Sequence, residues 1–272
     1  MSSSSLPLLL NPSELQAHLR DPALLIVDLG KESVYQQAHV PGAVSFNVKQ
    51  LVSGQQPAPG KLAPVEQLAA AFSALGLTPN RHVVVYDDEG GAAAGRFIWT
   101  LDVIDHHRYS YLNGGIHGWL AAGLPVENAA HIAQPKNVTV RLHPEPCADI
   151  DYVLAHYRDA DHVIWDARSP DEFNGSLVRS LRSGHIPGAR NYEWMRGVDR
   201  TNALRIRPLD ELRHELAAIG ITPDKTVITH CQTHHRSGFT YLLAKVLGFP
   251  HIKAYAGSWS EWGNRSDTPI ES

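Results

Sequence analysis

The stretch HVPGA at residues 39–43 recurs as HIPGA at residues 185–189. Three further pairs of segments match in the same order around these two copies. They are LIVD 25–28 with VIWD 163–166, GLTPN 76–80 with GITPD 220–224, and YLNG 111–114 with AYAG 254–257. Chance can produce one short match but not four in one order, and we therefore predict that the chain is a duplicated domain.

Each half alternates predicted strands with predicted helices. The strands are short apolar runs bounded by charge and glycine, as is typical of strands buried on both faces. They are Leu24–Leu29 and His82–Tyr86 in the first half, and Val163–Trp165 and Thr226–Thr229 in the second. The helices Val65–Leu75 and Leu209–Ile219 have apolar residues at helical spacing, and each is followed by a glycine. This alternation predicts α/β domains, each with a mostly parallel sheet and helices on both faces.

The length of the chain and a proline-rich segment suggest where the two domains begin and end. A chain of 272 residues favours two domains over one, and 43% hydrophobic residues are enough for a core in each. The segment 126–147 contains three prolines and alternates polar with apolar residues over 137–142. We predict an N-terminal domain of residues 1–125, a partly extended linker of residues 126–147, and a C-terminal domain of residues 148–272.

Charge and hydropathy exclude several classes of partner. Lys and Arg number 24 against 28 Asp and Glu, and this net charge of −4 argues against nucleic acid as a partner. No apolar stretch approaches the roughly 20 residues that span a membrane, and residues 1–15 lack the basic segment of a secretory signal. Two cysteines cannot build a disulfide framework. We predict a cytoplasmic monomer with reduced thiols.

The loop HCQTHHRSG at residues 230–238 is the strongest candidate for a reactive site. It follows a predicted strand and precedes the apolar helix Phe239–Leu247, so Cys231 lies where α/β folds place ligands. Backbone N–H groups of the loop and the helix N-terminus would point at the sulfur. Arg236, with His234 or His235, adds positive charge. Such surroundings lower the pKa of a thiol, and the thiolate is a nucleophile.

Three other interpretations of this loop remain open from the residues alone. Cys231 is an inert buried cysteine in the first, although its polar neighbours argue against that. In the second, His230, Cys231, His234 and His235 bind zinc, but the loop offers only one thiolate and no paired ligands at finger-like spacing. A cysteine phosphatase is the third, because a thiol, a loop of amides and an arginine also suit a phosphate group.

The whole pattern resembles the tandem-domain rhodaneses. The resemblance rests on the two HVPGA-type turns, the WDARS run at residues 165–169, the loop at 230–238 and the GSWSEW run at 257–262. In that family the first domain has lost its cysteine, and here Asp87 fills the position. The loop is most similar to that of bacterial thiosulfate sulfurtransferases with the CQTHHR motif. A six-residue loop, shorter than that of the related phosphatases, fits sulfur better than phosphate.

The resemblance implies a two-step sulfur transfer without a metal or organic cofactor. Cys231 would take sulfur from thiosulfate as a persulfide and pass it to cyanide, a small thiol or a protein thiol, with ping-pong kinetics. The residues expected to bind substrate are Arg236, Gln232, Thr233, His234, His235 and Trp194. Two alternatives are a persulfide carrier or sensor that delivers sulfur to a partner, and a 3-mercaptopyruvate sulfurtransferase.

The chain departs from the better-known thiosulfate enzymes at three positions. Gln232 and Thr233 stand where those enzymes have basic residues, and Glu172 stands where they have an arginine. We therefore predict that Arg236 makes an unusually large contribution to binding the anionic donor.

Two further sets of residues are predicted to have no role in catalysis. His39 and His185 occupy matching turns in both halves, including the half without a nucleophile, and we predict that they are structural. Cys147 lies in the proline-rich connection and is predicted to be dispensable.

Overall fold

The computed structural model describes residues 6–272. Residues 1–5 lie outside this range. They include the start of the predicted N-terminal domain and part of the segment that was predicted to lack a secretory signal. Over the described residues, no helix has the length and apolar character needed to cross a membrane.

The first half of the described chain forms one parallel sheet with the strand order β1-β5-β4-β2-β3. Its elements are β1 (Leu9–Leu10), α1 (Pro12–His18), β2 (Leu24–Asp28), α2 (Glu32–Gln37), β3 (Val44–Ser45), α3 (Val65–Ala74), β4 (His82–Tyr86), α4 (Ala92–Val103), β5 (Tyr109–Leu112) and α5 (Gly115–Ala121). A short 3₁₀ helix, Val48–Leu51, precedes α3.

The second half repeats this order as β6-β12-β11-β7-β8, again with parallel pairing. Its elements are β6 (Cys147–Ala148), α6 (Ile150–His156), β7 (His162–Asp166), α7 (Pro170–Phe173), β8 (Arg190–Asn191), β9 (Val198–Asp199), β10 (Arg205–Ile206), α8 (Leu209–Ala218), β11 (Thr226–His230), α9 (Arg236–Val246), β12 (Ile252–Tyr255) and α10 (Ser258–Trp262). The 3₁₀ helix Trp194–Gly197 and the antiparallel pair β9–β10 lie outside this sheet.

Alternate residues of the central strands are buried on opposite faces of the sheet. In β4, Val83 and Val85 belong to a core shared with α3 and α4, whereas Val84 and Tyr86 pack with side chains of α1 and α5. A strand buried on both faces needs a continuous apolar run, and VVV in β4 supplies one. The predicted α/β domains with parallel sheets and helices on both faces are therefore confirmed.

The helix after the cysteine loop differs from its predicted bounds. It begins at Arg236 rather than at Phe239, because Arg236 and Ser237 have side-chain partners that suit a helical first turn. Gly238 within this turn contacts α4. A Cβ added at Gly238 or at Gly95 of α4 would overlap backbone atoms of the other helix. These two glycines, which match in the repeat, let α4 and α9 pack closely across the domain interface.

The connection between the halves runs in extended form along the N-terminal domain. Glu127 forms a β-bridge with His39, and Lys136 donates a backbone hydrogen bond to Ser73. Among the described residues no helix or strand is assigned between Ala122 and Pro146. Cys147, the last residue of the predicted linker, is the first residue of β6.

Candidate active site

Cys231 is the residue that directly follows the central strand β11. Only 1% of its surface is exposed. Its backbone N–H donates to the Ser258 hydroxyl at 3.3 Å, and its carbonyl accepts from the backbone N–H of Trp259 at 2.9 Å. The start of α10 thus fixes the cysteine at the carboxyl edge of the sheet, the edge at which parallel sheets bind ligands.

The surroundings of the Cys231 sulfur favour the thiolate. Burial alone would raise the pKa of this thiol, but the nearby Arg236 charge and hydrogen bonds from Ser237 and Thr233 bring its pKa below the ordinary value. Ser237 donates from both its hydroxyl and its backbone N–H, and Thr233 donates from its backbone N–H. Backbone amides and a helix N-terminus are dipoles held in place by the fold, so they stabilise the anion without reorganising.

Ser237 connects the sulfur to a buried histidine. Its hydroxyl lies 2.7 Å from Nδ1 of His234. Because the Ser237 hydroxyl donates to sulfur, His234 Nδ1 must carry the proton and donate to Ser237. Burial and the nearby Arg96 charge hold the pKa of His234 well below its ordinary value, so the ring is neutral. His234 thus orients Ser237. The His234 ring packs edge-on against Trp99 of the other domain, with the two ring centroids 4.6 Å apart.

Arg236 is paired with Glu172. The guanidinium donates from Nη1 to Glu172 Oε2 at 2.6 Å and from Nη2 to Oε1 at 2.9 Å. Glu172 is 4% exposed and also forms a capping box with Ser169 at the start of α7. The residue that replaces an arginine of better-known enzymes therefore neutralises much of the Arg236 charge. Two of the five N–H donors of Arg236 are used in this pair.

His235 reaches across the domain interface. Its Nε2 lies 2.6 Å from Glu89 Oε1, which belongs to the loop after β4 of the N-terminal domain. Burial opposes the charged form, but the Glu89 carboxylate outweighs it and raises the pKa of His235. The same contact lowers the pKa of Glu89 against the effect of burial. This pair favours the charged form of an imidazole within the cysteine loop.

The remaining predicted substrate residues lie in three different surroundings. The Gln232 side-chain amide donates towards the Arg179 carbonyl and the Ser180 hydroxyl at 3.3 and 3.2 Å. The Thr233 carbonyl abuts Gly60 so closely that a Cβ at Gly60 would overlap it. Trp194 packs its ring on Phe239 of α9 at 5.9 Å. Nothing in these contacts tests substrate binding, so these assignments stay predictions.

A cavity of about 340 Å³ lies next to the cysteine loop, between the domains. Thr233, His234 and His235 form one side of it. The other side comes from the N-terminal domain, through residues 48–60 and Arg96. Small sulfur compounds are much smaller than this space.

The equivalent loop of the N-terminal domain holds a carboxylate where the sulfur lies. Asp87 follows β4 and is 1% exposed. Its carboxylate accepts backbone N–H groups of Glu89, Gly91 and Ala94 at 3.2, 2.8 and 3.0 Å. The cradle of amides is thus present in both halves, and in the first half it is filled by the protein's own side chain.

Sequence reasoning missed three contacts of this site. Ser237 lies in the loop at residues 230–238 but was assigned no role, although a serine hydroxyl next to a thiolate is an available donor. The Ser169–Glu172 spacing is that of a capping box, which would have placed Glu172 at a helix start but not against Arg236. For Glu89 the sequence carried no signal, because the contact depends on how the two domains pack.

Comparisons with known proteins agree over nearly the whole chain. The family described as "Rhodanese-like domain" matches residues 11–122 and 149–265. The chain is 52% identical to thiosulfate sulfurtransferases of Azotobacter vinelandii, over 268 residues, and of Pseudomonas aeruginosa, over 270, with 98% of each chain covered. The crystal structure of SseA from Escherichia coli, of the 3-mercaptopyruvate sulfotransferases, superimposes with a TM-score of 0.82 at 30% identity, covering 93% of this chain and 98% of that one.

Proposed function

The chain belongs to the rhodanese family, and on that premise we propose that it is a thiosulfate sulfurtransferase that carries sulfur on Cys231. The predicted resemblance, fold and sulfurtransferase class are confirmed by the comparisons. The contrast between the two cysteines supports Cys231 as the nucleophile. The surroundings of Cys231 lower its pKa, whereas burial raises the pKa of Cys147 to about 11. Cys231 therefore has a larger thiolate fraction at neutral pH than Cys147 has.

In the first step the Cys231 thiolate attacks the outer sulfur of thiosulfate. A sulfur–sulfur bond forms to Cys231, and the bond between the two sulfurs of thiosulfate breaks. Sulfite leaves with the electron pair of that bond, and a Cys231 persulfide anion remains. The hydrogen-bond donors around Cys231, namely Ser237 and the loop amides, suit the negative charge that moves onto the terminal sulfur.

In the second step an acceptor takes the terminal sulfur. The carbon of cyanide, or the sulfur of a thiolate, attacks it, and the bond to Cys231 breaks with its electron pair on Cys231. Thiocyanate or a new persulfide leaves, and the thiolate is restored. No other group has to accept or donate electrons in this cycle, which predicts ping-pong kinetics.

Binding of the donor anion rests on charges that already have partners. Arg236 faces Glu172, and His235 faces Glu89. The guanidinium of Arg236 has five N–H donors, and Glu172 occupies two of them. The others remain available for a sulfonate group. We assign Arg236 as the main residue that binds the anionic sulfur donor, with His235 as a second positive charge. Gln232, Thr233, His234 and Trp194 complete the proposed substrate surroundings.

The acceptors and the working state of the chain are also proposals. Sulfur transfer requires a small sulfur donor and an acceptor, and we propose cyanide, small thiols or a protein thiol as the acceptor. We also propose that the chain works as a monomer. We further propose that the protein works in the cytoplasm, where thiols stay reduced.

Two other functions remain as outcomes to be tested. A persulfide carrier or sensor would use the same Cys231 chemistry but stop near one equivalent of sulfur. A 3-mercaptopyruvate enzyme would prefer a donor with a carboxylate, and SseA is a structural relative at 30% identity. Turnover distinguishes the carrier from the enzyme, and the ratio of kcat/KM for the two donors distinguishes the enzymes.

Intact mass spectrometry after thiosulfate treatment tests the proposal directly. We expect the chain to gain the mass of one sulfur atom and to lose it on addition of cyanide. The Cys231→Ser variant should gain none, whereas Cys147→Ser, the matched control, should behave as the parent. Multiple turnovers of thiosulfate and cyanide to sulfite and thiocyanate identify an enzyme. An unchanged mass with every sulfur donor tried, or labelling of Cys147 instead, would overturn the assignment of Cys231.

A further inference from the structure

Three side chains converge where the interdomain connection meets the N-terminal domain, away from the cysteine loop. They are His39, Glu127 and His131, and each offers one nitrogen or oxygen within 4.8 Å of the others. His39 lies in the turn before β3 and is completely buried. The side chains of Glu127 and His131 are each 41% exposed. The cluster therefore has one buried corner and an open side towards solvent.

The buried histidine directs an unused nitrogen into this cluster. His39 Nδ1 lies 2.7 Å from the Tyr35 carbonyl, so Nδ1 carries the proton and donates it. His39 Nε2 is consequently a bare lone pair, and it is buried without a hydrogen-bond partner. A buried polar atom without a partner is costly in a folded protein and calls for a ligand. A backbone carbonyl on Nδ1 is also the usual orienting contact of a metal-bound histidine.

The other two side chains are held at this corner by the backbone. His39 and Glu127 exchange backbone hydrogen bonds at 2.9 and 3.0 Å. The backbone N–H of His131 donates to the Tyr35 hydroxyl at 3.1 Å, and the Tyr35 ring stacks on His39 at 3.9 Å. Glu127 Oε2 lies 2.6 Å from His131 Nε2. The site is preorganised, because Glu127 is tied to the backbone of His39 and His131 is tied to Tyr35 of α2, whose ring stacks on His39.

Two imidazoles and one carboxylate are a ligand set that zinc favours, with a fourth position left for water. Calcium and magnesium prefer oxygen ligands and would leave both imidazoles unused. We propose that His39, Glu127 and His131 bind a zinc ion. Coordination would replace the contact between Glu127 and His131 and would give His39 Nε2 the partner it lacks.

The place of this cluster in the fold indicates a structural role for the metal. β2 and β3 are parallel, and Cys231 and Asp87 follow strands at the carboxyl edges of the two sheets. The turn with His39 precedes β3, so it lies at the opposite, amino edge. Zinc bound there would fasten the beginning of the interdomain connection to the N-terminal domain without contact with the sulfur chemistry.

The second half of the molecule provides a built-in comparison. His185 repeats the arrangement of His39, because its Nδ1 lies 2.9 Å from the Phe173 carbonyl and its backbone pairs with Glu271. Its Nε2 lies 3.7 Å from Glu271 Oε2. Among the described residues no second histidine completes this pair into a three-ligand cluster. The His–Glu pair is therefore common to both halves, as His39 with Glu127 and His185 with Glu271. His131 is the third ligand, which completes the metal site in the first half.

Calorimetric titration of the untagged full chain with zinc sulfate tests the proposal. The Cys231→Ser variant is the parent for this experiment, because a reactive thiolate would itself bind zinc. We expect one zinc ion per chain and a melting temperature that rises with free zinc. His131→Gln and Glu127→Gln should each weaken binding at least about tenfold, since even changes to residues that only orient a metal ligand typically cost 10- to 100-fold. Cobalt bound in place of zinc should show tetrahedral visible absorption that both variants lose.

The matched controls lie in the two other histidine clusters. His156, Asp159 and His162 also converge, but His162 Nε2 already has the Tyr152 hydroxyl at 3.0 Å. His156→Gln and Glu271→Gln should therefore leave zinc affinity unchanged. Because the His131 and Glu127 side chains are half-exposed, both test variants should fold, which circular dichroism checks. Failure of the parent to bind zinc, or equal affinity of the parent and both test variants, would overturn the proposal, as would loss of binding in His156→Gln.

Discussion

The loops after β4 and β11 occupy the same place in two copies of one fold, yet only one is equipped for nucleophilic chemistry. In the C-terminal loop, hydrogen bonds and the Arg236 charge stabilise the anion of Cys231. In the N-terminal loop, the same kind of amide cradle encloses the carboxylate of Asp87. Burial and the neighbouring Glu89 raise the pKa of Asp87 despite those amides. The two loops therefore share a cradle of amides and differ in the group that it holds and in the charges around it.

The two loops are also joined, because Glu89 of the inactive loop pairs with His235 of the active one. The N-terminal domain, which has Asp87 where the other half has Cys231, supplies a carboxylate that raises the pKa of a histidine of the other loop. The duplicated domain is therefore a contributor to the site rather than a remnant. The four predictions below test this relation between the loops, beginning with the largest effect.

Moving the cysteine to the inactive loop should not move the activity. We expect the Asp87→Cys, Cys231→Ser double variant to transfer no detectable sulfur, a loss of at least about 10⁴-fold relative to the parent. Asp88 and Glu89 next to the new thiol would raise its pKa and repel an anionic donor. Assays of thiocyanate formation and intact mass check this. Sulfur transfer by the double variant would show that the amide cradle alone suffices.

Removing Arg236 should affect donor binding and stability by separable routes. Arg236→Ala should raise KM for thiosulfate roughly 10- to 150-fold, because a charge-assisted hydrogen bond contributes about 1.5–3 kcal/mol. It should also lower the free energy of unfolding by about 3 kcal/mol, since the Glu172 carboxylate would stay buried without its charged partner. Arg236→Lys should recover only part of the lost affinity, because lysine lacks the planar fork.

The double variant Arg236→Ala, Glu172→Gln separates these two effects. Its stability should return towards that of the parent, because no uncompensated charge is buried, while KM stays high. Urea unfolding and steady-state kinetics measure the two quantities on the same preparations. A double variant with the KM of the parent would mean that Arg236 only braces Glu172 and does not bind the donor.

Ser237→Ala should raise the pKa of Cys231, because the variant loses a hydrogen bond to the thiolate. Alkylation by iodoacetamide requires the thiolate, so its pH profile should move to higher pH, and below the pKa its rate should fall roughly 10- to 100-fold, since a hydrogen bond to a charged group contributes about 1.5–3 kcal/mol. Above both pKa values the two proteins should react at similar rates. Ser258→Ala is the control, because the Ser258 hydroxyl accepts from the Cys231 backbone and donates its proton to the Tyr255 carbonyl. An unmoved profile would contradict the assigned contact between Ser237 and sulfur.

Glu89→Gln should have the smallest effect, and only within a window of pH. Glu89 raises the pKa of His235, so the variant should lose the His235 charge at lower pH than the parent. Between the two pKa values we expect a fall of a few-fold in kcat/KM for thiosulfate. Below both values His235 is charged in either protein, and above both it is neutral, so the difference should vanish on each side.

The difference in the free energy of unfolding between the parent and Glu89→Gln should also depend on pH. Because the pKa of His235 is raised, the contribution of the ion pair is lost as pH rises through the folded value of His235. Because the pKa of Glu89 is lowered, the contribution is also lost as pH falls through the folded value of Glu89. The contribution should stay below about 1 kcal/mol, since both side chains are about 40% exposed. Glu32→Gln is the control, because Glu32 lines a second cavity together with Glu89 and His235 but accepts hydrogen bonds from Gln36 and Ser45. Equal pH profiles for Glu89→Gln and the parent would remove Glu89 from the site.

The sequence by itself determined the duplication, the parallel α/β architecture and the place of Cys231. These follow from signals that are local or repeated, such as HVPGA, the apolar run of β4, and a cysteine between a strand and a helix. Each copy supports the interpretation of the other, and buried strands need continuous apolar residues whatever they pack against. The repeat also aligns Gly95 with Gly238, but the sequence did not indicate that these two glycines form a contact between helices.

Only the tertiary structure decided which charges meet. Arg236 is 64 positions from Glu172, and Glu89 lies in the other domain from His235. Neither pair has a spacing that a helix or a turn would bring together. Ion pairs between distant elements depend on the exact approach of two packed surfaces, and many residues of opposite charge are available to each partner. The sequence therefore revealed where the chemistry lies, and the packing of the two domains decided how it is charged.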